Sequence, residues 1–221
     1  ALGALSQATQ DFAIAIGRAQ AKNYSSIAMG NNAQATADYA NAIGFGAQAQ
    51  GRLSTAIGTM TQTGTSAGNA TAIGGYANAL GSSSTVIGAY SNTTAEAENG
   101  VAIGFTANAS AKDAVAIGTS SIASAGAALA MGNTAQATAT NAVSIGTGAI
   151  ASVANSVALG SGSTTSAASG TGYLTSQATP TIGSVSVGNG TAAGNRRIQN
   201  LADGSADSDA VTVAQLKNVK G

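Results

Sequence analysis

The sequence is organised by a short repeated phrase, best represented by Val101-Ala102-Ile103-Gly104 and Val115-Ala116-Ile117-Gly118. The step from one repeat glycine to the next is 14 residues in most cases, with single steps of 13 and 28 and two of 16. A fixed period of this kind is typical of a solenoid, in which each unit buries its apolar face against its neighbours. Clear further copies occupy residues 14–17, 27–30, 129–132, 143–146, 157–160 and 185–188.

Each repeat contains two short alternating segments. Counted from the repeat glycine as position zero, positions −3 and −1 are mostly Ile, Val, Leu or Met, and position −2 is usually Ala. Positions +3 and +5 carry a second pair of small residues in most repeats, such as Ala33 and Ala35. Alternation with period two predicts strands, so a 14-residue coil holds two strands and two tight turns. We therefore predict a flat, two-sided roll of parallel sheets.

The orientation of the first strand decides which residues form the core. We expect the large residues at −3 and −1 to face the interior, which leaves the alanines at −2 facing outward. A strand that is apolar on both faces is normally covered on both. Identical neighbouring chains are the simplest cover. The alternative is that Ala only suits tight coil stacking and stays in contact with water.

Composition excludes several classes of function. The 221 residues include no His, Cys or Trp, only 7% are charged, and the net charge is zero. Without His or Cys the chain lacks the usual nucleophile pairs and zinc ligands, and it has no phosphate-loop or repeated-Asp calcium motif. We therefore predict no enzymatic activity, no metal site and no cofactor. The neutral balance argues against nucleic acid as a partner.

Two kinds of irregularity interrupt the repeat. The coils that end at Gly74 and Gly104 have 16 residues, and the second contains Glu96 and Glu98. These carboxylates could form an acid–base or cation site, but a solvated loop is the favoured interpretation because no further ligand stands nearby. Residues 161–184, which include Tyr173, Leu174 and Pro180, fill two periods without a clear phrase. They form either a degenerate coil or an excursion.

The composition changes from Asn195 onward. Asp209 or Ser208 is expected to cap a helix over residues 210–219, and Val213 and Leu216 have the a/d spacing of a coiled coil. Arg196 and Arg197 could bind an anion, but pairing with aspartates of the same or a neighbouring chain is the favoured interpretation. The candidate aspartates are Asp203, Asp207 and Asp209.

Both parts together resemble a known family. The repeat is similar to the head of the YadA-like trimeric autotransporter adhesins, whose signature phrase is closely matched by residues 155–160, Asn-Ser-Val-Ala-Leu-Gly. Residues 196–204 and 209–217 are similar to that family's neck. The resemblance implies an all-β, left-handed parallel β-roll in a trimer, with head repeats over 1–194 and a neck with the start of a coiled-coil stalk over 195–221. It assigns a structural role in the neck to Arg196, Arg197, Ile198, Asp209, Val213 and Leu216.

The resemblance also implies a function. Members display their heads on the outer surface of Gram-negative bacteria, anchored in the outer membrane by a C-terminal barrel that we expect outside this sequence. Many heads bind host cells or matrix proteins such as collagen, fibronectin or laminin. By this analogy the chain is a homotrimeric adhesin head of the bacterial cell surface. The candidate ligand contacts are Asn99, Val101, Ile103, Asn141, Val143, Ile145, Asn155, Ser156 and Val157.

Two alternatives remain open from the sequence. The chain could be a structural spacer that holds another binding domain away from the cell, because a spacer shares every feature named above. It could also be an ice-binding solenoid, which would present a ladder of Thr-x-Thr pairs. That second alternative is the weaker one, since Thr61, Thr63 and Thr93 are isolated while Ala fills the equivalent positions elsewhere.

Overall fold

A computed structural model describes residues 1–172 and 176–219. Tyr173 and Leu174 of the irregular stretch, and Lys220 and Gly221 of the predicted neck, lie outside the described residues. Nearly all regular structure consists of pairs of very short strands, one pair for each repeat, followed by one C-terminal helix. The chain therefore has the architecture of a parallel β-solenoid, as the repeat period predicts.

The first strand of each coil carries the repeat phrase and is three residues long, except for the last. These strands are β2 (Ile14–Ile16), β4 (Ile27–Met29), β6 (Asn41–Ile43), β8 (Thr55–Ile57), β10 (Thr71–Ile73), β12 (Thr85–Ile87), β14 (Val101–Ile103), β16 (Val115–Ile117), β18 (Leu129–Met131), β20 (Val143–Ile145), β22 (Val157–Leu159) and β23 (Val185–Ser186). They form one sheet in sequence order. We call it the twelve-stranded sheet.

The second strand of each coil is two residues long. These strands are β1 (Gln7–Ala8), β3 (Gln20–Ala21), β5 (Gln34–Ala35), β7 (Gln48–Ala49), β9 (Gln62–Thr63), β11 (Asn78–Ala79), β13 (Asn92–Thr93), β15 (Asn108–Ala109), β17 (Ile122–Ala123), β19 (Gln136–Ala137) and β21 (Ile150–Ala151). They form an eleven-stranded sheet, also in sequence order and parallel throughout. Equivalent residues of successive coils pair with each other, so every repeat position becomes a column along the solenoid.

The core between the two sheets is made of small side chains, which reverses the expected orientation of the first strand. The alanines at position −2, such as Ala102 and Ala116, are 0% exposed. The flanking residues at −3 and −1 point outward, and Ile57, Ile87 and Leu159 are 36%, 40% and 45% exposed. The expectation that the large residues fill the interior was wrong. Two strands per coil leave a space between the sheets that admits only small side chains at close packing.

The alanines of the eleven-stranded sheet complete this core. Ala47, Ala49, Ala107 and Ala109 are 0% exposed, as are their equivalents in most coils. Where a hydroxyl replaces a methyl group inside the roll, it forms a hydrogen bond, as a buried polar group requires. Ser144, for example, donates from Oγ to the carbonyl oxygen of Ala149 at 2.8 Å. Thr61, Thr63 and Thr93 are also buried, so they present no surface ladder to ice.

Buried hydroxyl groups form hydrogen bonds in each of the two 16-residue coils, those that end at Gly74 and Gly104. In the first, the hydroxyls of Ser54 and Thr63 are 2.8 Å apart, and Thr63 Oγ1 accepts the backbone N–H of Gln50 at 3.0 Å. In the second, Thr93 Oγ1 donates to Ser84 Oγ at 3.1 Å. A Cβ on Gly51 or Gly81 would collide with the carbonyl oxygen of a buried alanine in the insertion, Ala67 or Ala97. Each insertion is thus a structured turn held against a glycine of the preceding coil.

Residues 161–184 combine both predicted possibilities. Thr164 forms a bridge to Ile150, as the second strand of a regular coil would, and then the chain leaves the roll. It returns at β23, which pairs directly with β22, Val157 opposite Val185. The stretch is therefore half of a coil followed by an excursion.

The C-terminal helix is shorter than expected. Helix α1 spans Val213–Asn218, and its N-cap is Thr212, whose hydroxyl accepts the N–H of Gln215 while the Gln215 side chain accepts the N–H of Thr212. The prediction of Asp209 or Ser208 as the cap was wrong, because this reciprocal capping box satisfies the first turn three residues later. Asp209 Oδ2 instead accepts the backbone N–H groups of Ser205 and Ala206.

Candidate binding surfaces

The outer face of the twelve-stranded sheet is an uninterrupted apolar surface in its C-terminal half. The candidate contacts Val101, Ile103, Val143, Ile145 and Val157 all lie on it, because positions −3 and −1 face outward in every coil. The register aligns Val101 with Val115 and Ile103 with Ile117, and the same columns continue through Leu129 and Met131. Parallel sheets are usually covered on both faces, whereas residues 1–172 and 176–219 cover this sheet on only one.

The candidate asparagines lie at the turn before that sheet. Asn99, Asn141 and Asn155 have φ angles of 57°, 56° and 57°, a left-handed conformation that Asn adopts more readily than most residues. Asn99 Nδ2 donates to Asp113 Oδ1 and Asn141 Nδ2 donates to Asn155 Oδ1, both at 2.9 Å. The side chains are exposed at one edge of the roll and link successive coils.

Ser156 lies inside the roll. It is 0% exposed, and its Oγ accepts the backbone N–H of Ser184 at 3.0 Å. This contact joins the last regular coil to the strand that follows the excursion. The Ser156 hydroxyl therefore cannot reach a ligand on the surface of the folded chain.

Sequence analysis missed the most regular polar feature, which lies on the outer face of the eleven-stranded sheet. Eight consecutive strands place a side-chain amide at the same outward position, and the register brings each one beside the next. We call these residues the amide ladder: Gln7, Gln20, Gln34, Gln48, Gln62, Asn78, Asn92 and Asn108. Ile122, Gln136 and Ile150 follow in the same column. The signal in the sequence was an amide between two small residues, as in Ala77-Asn78-Ala79.

Exposed aromatic side chains form a rim beside the central part of this ladder. The aromatic rim consists of four aromatic residues and one methionine, which occupy the turns just before strands β7 to β15 and are 43–56% exposed: Phe45, Met60, Tyr76, Tyr90 and Phe105. The rings of Tyr76 and Tyr90 are stacked with centroids 5.0 Å apart, and Phe105 meets Tyr90 edge to face at 6.0 Å. A second aromatic row, Phe12, Tyr24 and Tyr39, lies at the opposite turns near the N-terminus.

The charged side chains near the insertions are solvated, as expected. Glu98 pairs with Lys112 at 2.7 Å, and both side chains are more than half exposed. The hydrogen bond from Lys112 to Glu98 raises the pKa of the lysine. Hydrogen bonds from its own backbone N–H and from the Thr94 hydroxyl lower the pKa of Glu96. Within residues 1–172 and 176–219, no three acidic or other ligating side chains come together as a metal site would require.

Arg196 joins the neck to the last coil. Its guanidinium donates to Ser163 Oγ and to the carbonyl oxygen of Val187, both at 2.9 Å, and to the carbonyl oxygen of Ser161. Three of its five N–H donors therefore bind oxygens of the roll, and among the described residues no aspartate of the same chain pairs with it. Pairing with an aspartate of a neighbouring chain stays a prediction. Two backbone N–H groups hold the pKa of Asp209 below its usual range.

The predicted coiled-coil positions remain free on the surface of the single chain. Val213 and Leu216 are exposed on α1, and Ile198 is exposed in the preceding segment. A six-residue helix is too short to be stable alone and needs partner helices. In the part of the chain that the structure describes, no helix has the length and apolar character needed to cross a membrane.

The roll and the C-terminal segment both match families of known proteins. The family described as the YadA head domain repeat (2 copies) matches residues 1–18, 21–47, 42–59, 66–91, 95–121, 123–149 and 137–163, more than half of the chain. The family described as the coiled stalk of trimeric autotransporter adhesin matches residues 197–221. Among solved structures, the collagen-binding domain of the Yersinia adhesin YadA is 32% identical over 90% of this chain and 84% of that chain, with a TM-score of 0.49. A search of curated proteins gave no match.

Proposed function

Because this chain belongs to the family of YadA-like trimeric autotransporter adhesins, we propose that it forms a homotrimeric head that attaches bacteria to host matrix proteins or host cells. The observation that carries the proposal is the apolar outer face of the twelve-stranded sheet. A large contiguous apolar patch on a soluble chain marks an interaction surface. Two further copies of the chain would cover it, and the exposed Val213 and Leu216 would continue the contact into a stalk.

This arrangement separates the candidate contacts into two groups. Val101, Ile103, Val143, Ile145 and Val157 lie on the face that the trimer would bury, so we assign them to subunit association. Asn99, Asn141 and Asn155 lie at the edge of that face and stay accessible, so we retain them as candidate ligand contacts. Their column recurs in three subunits, and many weak contacts of this kind add up through multivalency.

Binding to immobilised matrix proteins tests the proposal. We expect the full chain to bind collagen, fibronectin or laminin, with collagen tested first because the solved YadA domain is named for binding it. The substitution Ile117→Asp should separate the subunits and weaken binding about 100-fold or more, because avidity is lost. Surface plasmon resonance on sparse and dense ligand surfaces measures both effects.

The control for added charge is Gln20→Glu on the opposite sheet, which should leave both mass and binding unchanged. A trimer that binds none of the three proteins and no host cells would contradict the adhesive function and leave a structural spacer. Equal binding by a separated Ile117→Asp chain would contradict the multivalent mechanism.

A further inference from the structure

We propose that the outer face of the eleven-stranded sheet binds a neutral, linear glycan chain that runs along the solenoid axis. The site comprises the amide ladder from Gln48 to Asn108 and the aromatic rim beside it. The proposal rests on the proposed function, since it names a ligand class for the face that the trimer leaves outward. It concerns different residues from the asparagines at the other sheet's edge.

The first argument is the chemistry of the amides. A side-chain amide offers two N–H donors and one acceptor oxygen, which matches a ligand whose hydroxyl groups both donate and accept. Among the described residues, a hydrogen bond of the ladder's side chains is present only at Gln48, with Gln50 at 2.9 Å, and at Asn78, with the carbonyl oxygen of Tyr76 at 3.4 Å. The partly exposed amides of Gln62 and Asn92 therefore keep their hydrogen-bonding groups free, whereas Asn108 Oδ1 is buried without a partner.

The second argument is the combination of amides with aromatic rings. Over five successive coils, a rim residue lies two or three positions before a ladder residue, as Tyr76 does before Asn78 and Tyr90 before Asn92. Exposed tyrosines supply an apolar surface with a polar edge. The C–H faces of a sugar ring can pack against such a surface while its hydroxyls reach the amides.

The third argument is shape. The two insertions lie in the turns that follow strands β9 and β13, whereas the rim residues lie in the turns that precede the ladder strands. A cavity of about 260 Å³ at the insertions is lined by Gln62 of the ladder, Thr65 and Ser66 of the first insertion, and Leu80 and Ala95 beyond them. This cavity reaches the ladder at Gln62. The ladder from Gln48 to Asn108 lies between the rim and the insertions, and we call this strip of the surface the groove. The groove runs along the solenoid axis, across successive coils. Neighbouring strands are about 4.8 Å apart, so each coil can contact one sugar unit.

The fourth argument is charge. The rim turns and the ladder strands are residues 45–50, 59–64, 75–80, 89–94 and 105–110, and none of them contains Asp, Glu, Lys or Arg. The second insertion, which borders the groove, adds Glu96 and Glu98, and Glu98 pairs with Lys112. Free carboxylates repel a sulfated or phosphorylated polymer, whose recognition uses Arg and Lys. The groove therefore selects an uncharged ligand, and its binding should be insensitive to salt.

An oligosaccharide array tests the proposal with the trimeric full chain. The probes are neutral hexasaccharides built from glucose, mannose, N-acetylglucosamine and N-acetyllactosamine units, with heparin as the charged comparison. We expect binding to at least one neutral series, little dependence on salt between about 50 and 500 mM, and no preference for heparin. The double substitution Asn78→Ile and Asn92→Ile should weaken binding about tenfold or more, since several hydrogen bonds are lost together.

The matched control is Gln136→Ile, which changes the same column outside the groove. Isoleucine is compatible with this column because Ile122 and Ile150 occupy it naturally. The control should bind like the unmodified chain, and Tyr90→Thr should weaken binding as the double substitution does. Thr106 holds the equivalent position in the next coil, so Thr is tolerated there.

The outcomes separate this proposal from the proposed function. Binding to collagen, fibronectin or laminin without binding to any neutral hexasaccharide would overturn the glycan site and leave the adhesin intact. Loss of the trimer in the double variant would overturn it as well, since the ladder would then be a subunit contact. Equal glycan binding by the double variant and by Gln136→Ile would also overturn the assignment.

Discussion

Replacing Gly118 by alanine is expected to lower the free energy of unfolding by about 3 kcal/mol or more, because backbone strain and steric overlap add. Gly118 has a φ angle of 128°, a region that residues with a Cβ rarely adopt. A Cβ at this position would also overlap the carbonyl oxygen of Gly132 in the next coil. The overlap cannot be relieved by a side-chain rotation, since the Cβ position is fixed by the backbone of residue 118 and the oxygen belongs to the backbone of Gly132.

Thermal unfolding followed by circular dichroism measures the effect, which should be a decrease in Tm of about 10 °C. The control is Gly148→Ala in the turn after Gly146, two coils further along, where φ is 64° and the nearest atom to a new Cβ, apart from the flanking residues, is Thr134 Oγ1 at 3.9 Å. Equivalent turns carry Tyr, Thr or Ser at similar φ, as Tyr90 and Ser120 show. Equal melting temperatures for the two variants would contradict the role of the glycine column in coil stacking.

Replacing Ala116 by leucine should destabilise the roll by about 3 kcal/mol, at the upper end of the usual cost of overpacking. Ala116 is 0% exposed between the two sheets and is surrounded by other alanines of the core. A leucine would have to force the sheets apart over several coils. Chemical unfolding monitored by circular dichroism measures the loss.

The control in the same strand is Val115→Leu, and both changes are made in the separated Ile117→Asp chain, where no neighbouring subunit covers Val115. There Val115→Leu should change stability by less than about 0.5 kcal/mol. Val115 faces outward and pairs with Leu129, so its column already contains leucine. The two variants also distinguish the two possible orientations of the strand. If the isoleucines filled the interior and the alanines faced outward, Ala116→Leu would be the tolerated change.

The period of the repeat predicted the coils, the two strands in each coil and the parallel sheets, and the structure confirms all three. The period could not decide which side of the first strand faces the core, because Ile-Ala-Ile is apolar on both sides. Hydrophobicity favoured an interior of isoleucines. In a coil of only two strands, however, side-chain volume decides which residues fit between the sheets. The sequence does contain the relevant signal: position −2 holds only Ala, Ser or Val, whereas position −3 varies from Asn41 to Leu129.

The candidate sites were less predictable because they depend on columns formed by stacking. Gln62 and Asn78 are 16 residues apart and looked like isolated polar positions in the sequence. The register places them side by side. Both amides point outward because their neighbours in sequence, Thr61 and Thr63 for Gln62 and two alanines for Asn78, point into the roll. The contacts of Arg196 were harder still to predict, since its partners Ser161 and Ser163 are separated from it in sequence by the excursion. No local pattern predicts a contact of that kind.

The solution mass of the full chain tests the central claim most directly, namely that the outward isoleucine face is a subunit interface. Light scattering at several concentrations should give a stable species of three times the 20.9 kDa of one chain. The same measurement on a chain with Ile103→Asp and Ile117→Asp should give the mass of a single folded chain. A β-rich monomer that persists at high concentration without these substitutions would contradict the claim.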